Sequence, residues 1–303
     1  LQRMPVPGYL GESKPWGNVG TMSNRGAEME ISYRYSIGDF NFSVGGNVTY
    51  VNTILVNAGN ETGVVETASY HQMGTIARGQ NGMVYPYFYG YKTDGVFQNW
   101  AEVNSYVNAD GKLIQPDAQP GDFRYVDIDG NGSITAEGDR TMLGKCFAPW
   151  IYGLNASIDW KGIDFSMIWQ GVAGNSIFDG TRRTDIPVMN QPKYVLNRWT
   201  GEGSTNEYPR FTNTDPNQHW PKPSSFFIKD ASYFRLKNIT LGYTLPAKWT
   251  KKVFVKKLRV YAACENAFTF TNYDGFDPEI ASYMDRGVYP QARTVQFGAN
   301  ITF

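Results

Sequence analysis

The sequence predicts an all-β fold, an antiparallel transmembrane β-barrel. Three observations predict it. Apolar and polar residues alternate strictly over long stretches, aromatic residues stand at both ends of the apolar faces, and the connections alternate between very short and very long. A barrel strand in lipid needs only ~9–11 residues, with every second side chain toward hydrocarbon and the others toward a polar lumen.

The first alternating stretch covers 27–37. Ala27, Met29, Ile31, Tyr33, Tyr35 and Ile37 share one parity, and Glu28, Glu30, Ser32, Arg34 and Ser36 the other. A tight turn at Gly38-Asp39 leads to a strand at 40–53, where Phe40, Phe42, Val44, Gly46, Val48 and Tyr50 alternate with Asn41, Ser43, Gly45, Asn47 and Thr49. Trp150, Tyr152, Leu154, Ala156, Ile158 and Trp160 mark a strand at 150–160. The Lys161-Gly162 turn joins it to a strand at 163–174 that carries Ile163, Phe165, Met167 and Trp169 on one face. Further strands are predicted at 227–245, 258–271 and 293–303. Parity slips at Lys237-Asn238, between Phe234/Leu236 and Ile239/Leu241, which predicts a β-bulge or the passage from rim into lipid.

A soluble sandwich also alternates. The aromatic pairs Phe40/Tyr50 and Trp150/Trp160 favour the barrel, because they match girdles at two membrane interfaces. The long connections, about 54–149, 175–226 and 272–292, exceed ordinary loops and are expected on one extracellular rim. Alternating descent and ascent gives about seven strands with the first and last running the same way. Such a set cannot close on itself antiparallel, so the chain is expected to be part of a larger barrel. Residues 1–26 show no convincing further strand and no signal peptide, and Leu1 is expected to lie within a longer protein. The motif Gly-x-Asn-x-Ser/Thr recurs at Gly45, Gly153 and Gly298, and reads as lumen-facing polar positions rather than glycosylation.

Composition narrows the function. The 303 residues have a formal net charge of zero, 15% aromatics and 18% charged residues. That balance gives no electrostatic case for nucleic acid. Mean hydropathy is −0.42, and no apolar run approaches the ~18 residues of a membrane helix. Cys146 and Cys264 lack metal spacing and are expected as free thiols, Cys264 on an apolar strand face. His71 and His219 both fall in long connections, and no nucleophile–base motif accompanies them, so the chain is not expected to be an enzyme.

One motif suggests a metal. Asp127-Ile-Asp129-Gly-Asn131-Gly-Ser133-Ile-Thr135 resembles the first nine positions of an EF-hand calcium loop. The twelfth position is Gly138 rather than glutamate, flanked by Glu137 and Asp139, so an acidic ligand could still reach with a one-residue adjustment. The expected ligand set for one calcium ion is Asp127, Asp129, Asn131, Ser133, Thr135 and Asp139. The competing reading is a metal-free Asx turn in which Lys145 and Arg140 serve as counter-charges, Arg140 pairing with Asp127 or Asp129. Phe303, ending an alternating strand, resembles the C-terminal aromatic signal of outer-membrane barrel assembly. The long connections are rich in aromatics, as in Tyr85-Pro-Tyr87-Phe88-Tyr89-Gly-Tyr91, and in amide side chains. That composition suits carbohydrate stacking, peptide capture, loop packing or partner docking.

Taken in order and spacing, NRGAEMEISYR at 24–34, YGYKTDGVFQ at 89–98, GDFRYVDIDGNGSI at 121–134, DRTMLG at 139–144, YGLNASIDWKGIDFS at 152–166, SYFRLKNITLGYTLP at 232–246, ENAFTFTNYDGFDPEI at 265–280 and YPQARTVQFGANITF at 289–303 resemble the C-terminal third of SusC/RagA-type TonB-linked outer-membrane proteins of Bacteroidetes. The resemblance implies a plugged barrel of about twenty-two strands in the outer membrane. It also implies energy coupling to a TonB complex, a SusD-like surface lipoprotein as partner, and uptake of oligosaccharides or peptides. The plug and the TonB-binding segment lie N-terminal in that family and are not visible here. A surface adhesion protein anchored by a barrel and an outer-membrane hydrolase are the competing readings.

Overall fold

The computed structural model describes residues 2–3, 11, 13, 16–182, 190–212 and 214–303. Seven strands form one antiparallel sheet: β1 (Thr21–Ile37), β2 (Phe40–Asn57), β3 (Trp150–Trp160), β4 (Ile163–Ala173), β5 (Tyr233–Thr244), β6 (Lys257–Thr271) and β7 (Thr294–Thr302). Each pairs with its neighbours in the chain, so the sheet is a meander from β1 to β7 and does not close. It is an arc of a transmembrane barrel wall.

Register explains the alternation. Met29 faces Val48, which faces Tyr152; Tyr35 faces Phe42, which faces Ile158. On across the sheet, Ile158 faces Phe165, Phe165 faces Leu241, Leu241 faces Ala262 and Ala262 faces Phe297. Apolar residues therefore meet apolar residues in rows across the whole wall. This face is bare: Met29, Ile31 and Ile37 are 56%, 61% and 62% exposed. A contiguous apolar face of this extent is a liability in water and a requirement in hydrocarbon. From Trp150 to Trp160 the strand advances ~33 Å at ~3.3 Å per residue, or ~25 Å of height at a tilt of ~40°, the height of an outer-membrane apolar band.

Aromatic rings border the band. At one rim Tyr50 lies 4.7 Å from Trp150, and Trp169 stacks between Phe234 at 4.8 Å and Phe270 at 6.0 Å. Toward the other rim Phe40 faces Trp160, which faces Ile163, which faces Tyr243. The bulge keeps this band continuous. Ile168 pairs with Asn238 and Trp169 with Leu236, so Lys237 is the extra residue, and the outward face passes from Ile239 to Leu236 and Phe234. On β6 the same irregularity leaves Asn266 at φ 51°.

The inner face is polar and interlocked. Gly153 opposes Asn47, and Asn155 opposes Gly45. A Cβ on Gly153 would sit 2.6 Å from Asn47 Oδ1, and one on Gly45 would sit 3.0 Å from Asn155 Oδ1. The recurring Gly-x-Asn motif is thus a reciprocal packing pair: each amide occupies the space the opposite glycine leaves. Gly298 likewise makes room for Tyr261, whose Cζ would meet a Cβ there at 2.4 Å. Across Gly242, Asp164 of β4 and Arg259 of β6 form a bidentate ion pair with Nε–Oδ1 at 2.8 Å.

β5 begins at Tyr233, later than the alternation from 227 suggested, because Ile228–Asp230 pairs with Ser176–Asp179 outside the wall. β1 begins at Thr21, earlier than expected, because it pairs along β2 as far as Asn57. Most of residues 1–15 lie outside the described residues; among those described, Gln2–Arg3 pairs with Trp16–Gly17.

The meander places connections 58–149, 174–232 and 272–293 at the rim where β2, β4 and β6 end, and the shorter ones at the other rim. The long connections fold together. Val64–Ser69, Thr75–Gln80, Tyr87–Tyr91 and Arg140–Lys145 form a four-stranded sheet in the order 140–145, 87–91, 75–80, 64–69. Ser176–Asp179 of the second connection pairs in parallel with Met284–Asp285 of the third. A short helix, Trp100–Ser105, is capped by Asn99, whose side chain accepts from Glu102 N at 3.0 Å. Tyr70, Phe88 and Phe123 from the first connection, Phe178, Phe226 and Phe227 from the second and Met284 from the third are buried in one core. Cys146 joins it as a free thiol, which burial pushes far above its usual pKa and so leaves inert; Cys264 is also free, on the outward face opposite Ile239.

Candidate functional site

The loop that resembles a calcium site is built on backbone turns. Gly130 and Gly132 hold φ of 72° and 83°, which only glycine adopts without strain. That path points their N–H groups at one carboxylate: Gly130 N donates to Asp127 Oδ1 and Gly132 N to Asp127 Oδ2, both at 2.8 Å. Asp129 accepts from Asn131 N at 3.1 Å, and Asn131 Oδ1 accepts from Ser133 N at 2.9 Å. Asp139, fully buried, accepts from Ile128 N and Thr135 N, each at 2.6 Å.

Carboxylate oxygens of Asp127, Asp129 and Asp139 lie within 4.8 Å of one another. Ligands on opposite sides of a calcium ion at ~2.3–2.6 Å are about 5 Å apart, so these three fit one coordination sphere. Each carboxylate oxygen retains a lone pair after accepting one N–H. Position twelve is glycine for a geometric reason: a Cβ on Gly138 would stand 2.0 Å from Asp129 Oδ2. The third carboxylate of the cluster is that of Asp139, one residue later. Arg140 does not take the competing role. Its Nη2 donates to the carbonyls of Thr75 and Tyr89, and its guanidinium lies 4.3 Å over the Tyr89 ring. Among the expected ligands, Ser133 instead donates to Asn131 Oδ1 at 2.8 Å, and Thr135 Oγ1 accepts from Gly138 N at 3.1 Å.

A second feature had no signal in the sequence. A cleft of about 830 Å3 opens in the rim module, lined by Asp179, Tyr194, Tyr208, Tyr273, Asp274 and Phe276 among others. Burial pushes the Tyr194 and Tyr273 phenols up, and Tyr273 is raised further by its 2.5 Å hydrogen bond to Asp285 Oδ2, so both remain neutral donors at any physiological pH. Aromatic faces beside carboxylates and amides bind polar molecules that also have apolar faces. The residues come from the second and third connections, separated by some eighty positions, which is why no local motif announced them.

His219 is fully buried beside two carboxylates, with Nδ1 3.0 Å from Asp215 Oδ1 and 3.6 Å from Asp122 Oδ1. Arg210 holds Asp122 through Nε at 2.5 Å. Burial lowers the His219 pKa, while the two carboxylates oppose that shift. The imidazole has no exposed surface and packs edge-on against the rings of Phe123 and Trp220.

No family profile matches the chain. Over 99% of its length it is 28% identical to TonB-dependent receptor P3 of Formosa agariphila, covering 30% of that protein. It is 27% identical over 94% of its length to TonB-dependent receptor SusC of Bacteroides thetaiotaomicron, covering 27% of it. The chain thus spans under a third of the curated relatives it matches. In fold it superimposes on a chain of the RagAB peptide importer in the open-open state with a TM-score of 0.75 at 20% identity, covering all of this chain and 31% of that one. A chain of the RagAB peptide transporter gives 0.74 at 21% identity, covering 99% of this chain and 32% of that one. The apolar girdled wall, the packed rim module and these relationships converge: the chain is a homologue of the TonB-dependent receptors, SusC among them, and carries part of their barrel.

Proposed function

We propose that the chain forms part of an outer-membrane importer that takes up oligosaccharides or peptides by TonB-dependent transport, together with a SusD-like surface lipoprotein. The observation that carries this reading is the wall itself: an apolar outer face, an interlocked polar inner face, and a rim module with an aromatic, carboxylate-lined cleft. In this reading the three long connections face the cell exterior and the cleft contacts the nutrient on entry. The experiment is uptake of labelled oligosaccharide and peptide mixtures by cells that carry or lack the receptor. Loss of uptake for one class is expected, and Phe276→Ala with Tyr208→Ala should reduce it. Undiminished uptake without the receptor, accompanied by lost surface adhesion, would replace import with anchoring.

Phe303, exposed at the end of β7, serves in this proposal as the assembly signal. Phe303→Asp should lower the amount of heat-modifiable barrel in the outer membrane; unchanged amounts would remove that role.

The 127–139 loop takes one calcium ion in the same proposal, held by Asp127, Asp129 and Asp139 with Asn131, Ser133 and Thr135 as neighbouring oxygens. The ion would neutralise three carboxylates and stiffen the loop. Calcium at about a hundred times its Kd should stabilise the rim module by ~2.7 kcal/mol. Calorimetric titration checks this: heat of binding in the native protein, absent in Asp129→Ala, is expected. A flat titration of the chelator-treated native protein would exclude the ion.

A further inference from the structure

The short-turn rim holds a feature that import does not use. Between β5 and β6 the chain reads Leu245-Pro-Ala-Lys248-Trp249-Thr-Lys251-Lys252-Val-Phe254-Val-Lys256-Lys257-Leu258. Five lysines and no acidic residue stand in this segment, although the whole chain has zero net charge. The other connections at this rim, Gly38-Asp39 and Lys161-Gly162, are bare two-residue turns. Trp249 is 54% exposed, and Phe254 is 92% exposed at a φ of 59°. A phenylalanine in the left-handed region is strained, and here no core packing offsets the strain. Aromatic rings and lysines together are what a protein presents at the level of lipid headgroups. Gly162 O accepts from Thr244 N, which brings the Lys161 turn alongside; the Lys161 ammonium lies 5.5 Å over the outward Trp160 ring.

An apolar furrow rises from this turn. It has a volume of about 840 Å3 on the outward face. Val260, Ala262 and Ala299 form a low floor between Leu241 and Tyr243 on one side and Phe297 on the other, in the registered rows Tyr243–Val260–Ala299 and Leu241–Ala262–Phe297. Val260 and Ala262 lie on β6 and Ala299 beside them on β7, and β6 begins at Lys257, directly after Lys256. From Lys256 to Ala262 the strand covers ~20 Å at ~3.3 Å per residue. Cations at the foot and a small-residue channel above match the two parts of one molecule.

We propose that the β5–β6 turn and the furrow above it bind an anionic glycerophospholipid of the leaflet at the short-turn rim. Its phosphate sits among Lys251, Lys252 and Lys256, and an acyl chain lies on Val260 and Ala262. This rests on the reading that the wall stands in a membrane. The test uses the receptor that carries this chain, reconstituted in phosphatidylcholine vesicles containing phosphatidylglycerol. Lipid that remains bound after extraction is counted by native mass spectrometry. The native protein should retain phosphatidylglycerol over phosphatidylcholine and release it as salt rises. Lys251→Glu with Lys252→Glu and Lys256→Glu should weaken retention about a hundredfold or more, at about a tenfold loss or somewhat less for each favourable lysine contact removed. Ala262→Phe, which fills the furrow and leaves the lysines, should weaken it too. Equal retention of both lipids, retention indifferent to salt, or co-purified lipopolysaccharide in place of the glycerophospholipid would overturn the proposal. Because the native protein's salt response decides the matter by itself, a variant that fails to assemble leaves the test intact. Failure of the membrane reading shows separately, as a native protein that never enters vesicles as a heat-modifiable barrel.

Discussion

Replacing Arg235 by leucine should detach the third connection from the barrel wall at a cost of about 3–5 kcal/mol. Arg235 stands just above the bulge on β5, with a side chain only 4% exposed. Its Nη2 meets Asp277 Oδ1 at 2.6 Å, its Nη1 meets Glu279 Oε2 at 2.7 Å, and its Nε donates to Thr269 at 2.8 Å. Lys237, the bulged residue, adds a 3.0 Å contact to Glu279. Leucine would leave Asp277 buried without a counter-charge. Burial by itself pushes the Asp277 carboxyl up, but hydrogen bonds from Arg235, Gln291 N and Glu279 N outweigh it and hold the pKa below the usual carboxylate range. A folded-state pKa below the unfolded value means the stabilisation is complete above the unfolded pKa and is lost as pH falls through the folded one. The native tether should therefore weaken only in acid, below about pH 4. Hydrogen exchange across 272–293 measures both effects: Arg235→Leu should expose the segment at neutral pH, and Asp277→Asn should remove the acid dependence. Protection equal to the native level in Arg235→Leu would show that the ion pairs contribute little.

Phe178→Ala should unfold the rim module while the wall persists. Phe178 is fully buried, with its ring centroid 5.3 Å from Tyr70, 6.5 Å from Phe88 and 5.7 Å from Phe227. Its backbone pairs with Met284. One residue thus joins all three connections, the first and second through its ring and the third through its backbone. Truncation of a buried phenylalanine to alanine removes about 3–5 kcal/mol, a large share of what an assembly of loops retains against its ordering entropy. Limited proteolysis reads the outcome: cleavage should appear within 58–149 and 174–232, with the heat-modifiable barrel intact. Loss of the barrel together with the module would mean the two fold as one cooperative unit.

The wall was legible because lipid on one side and a lumen on the other impose a period of two that no tertiary contact overrides. Even the slip at Lys237 was visible, since a bulge must change parity. The rim module was not legible. Its strands are short and buried on both faces, as in Tyr87–Tyr91, so they do not alternate. Its partners, such as Phe178 with Met284, are a hundred residues apart. The calcium-like loop lay between these cases. Its Asp and Gly spacing is local and readable, but the reason for Gly138 was hidden until Asp129 was seen to occupy the space beside it.

The paired glycines and asparagines on β2 and β3 bear on a fault that alternation cannot correct. A strand that slides by one residue turns its apolar side chains inward and is rejected by the lipid. A slide by two residues keeps every side chain on its proper face, so hydrophobicity is blind to it. Here such a slide would bring Asn155 against Asn47, or Gly153 against Gly45. The first crowds two amides into one space, and the second leaves an empty one. Strand stagger, summed around a closed barrel, fixes its tilt and diameter. These small tooth-and-notch pairs therefore act as a ratchet on the bore, holding a pore of constant gauge where the oily pattern would accept several.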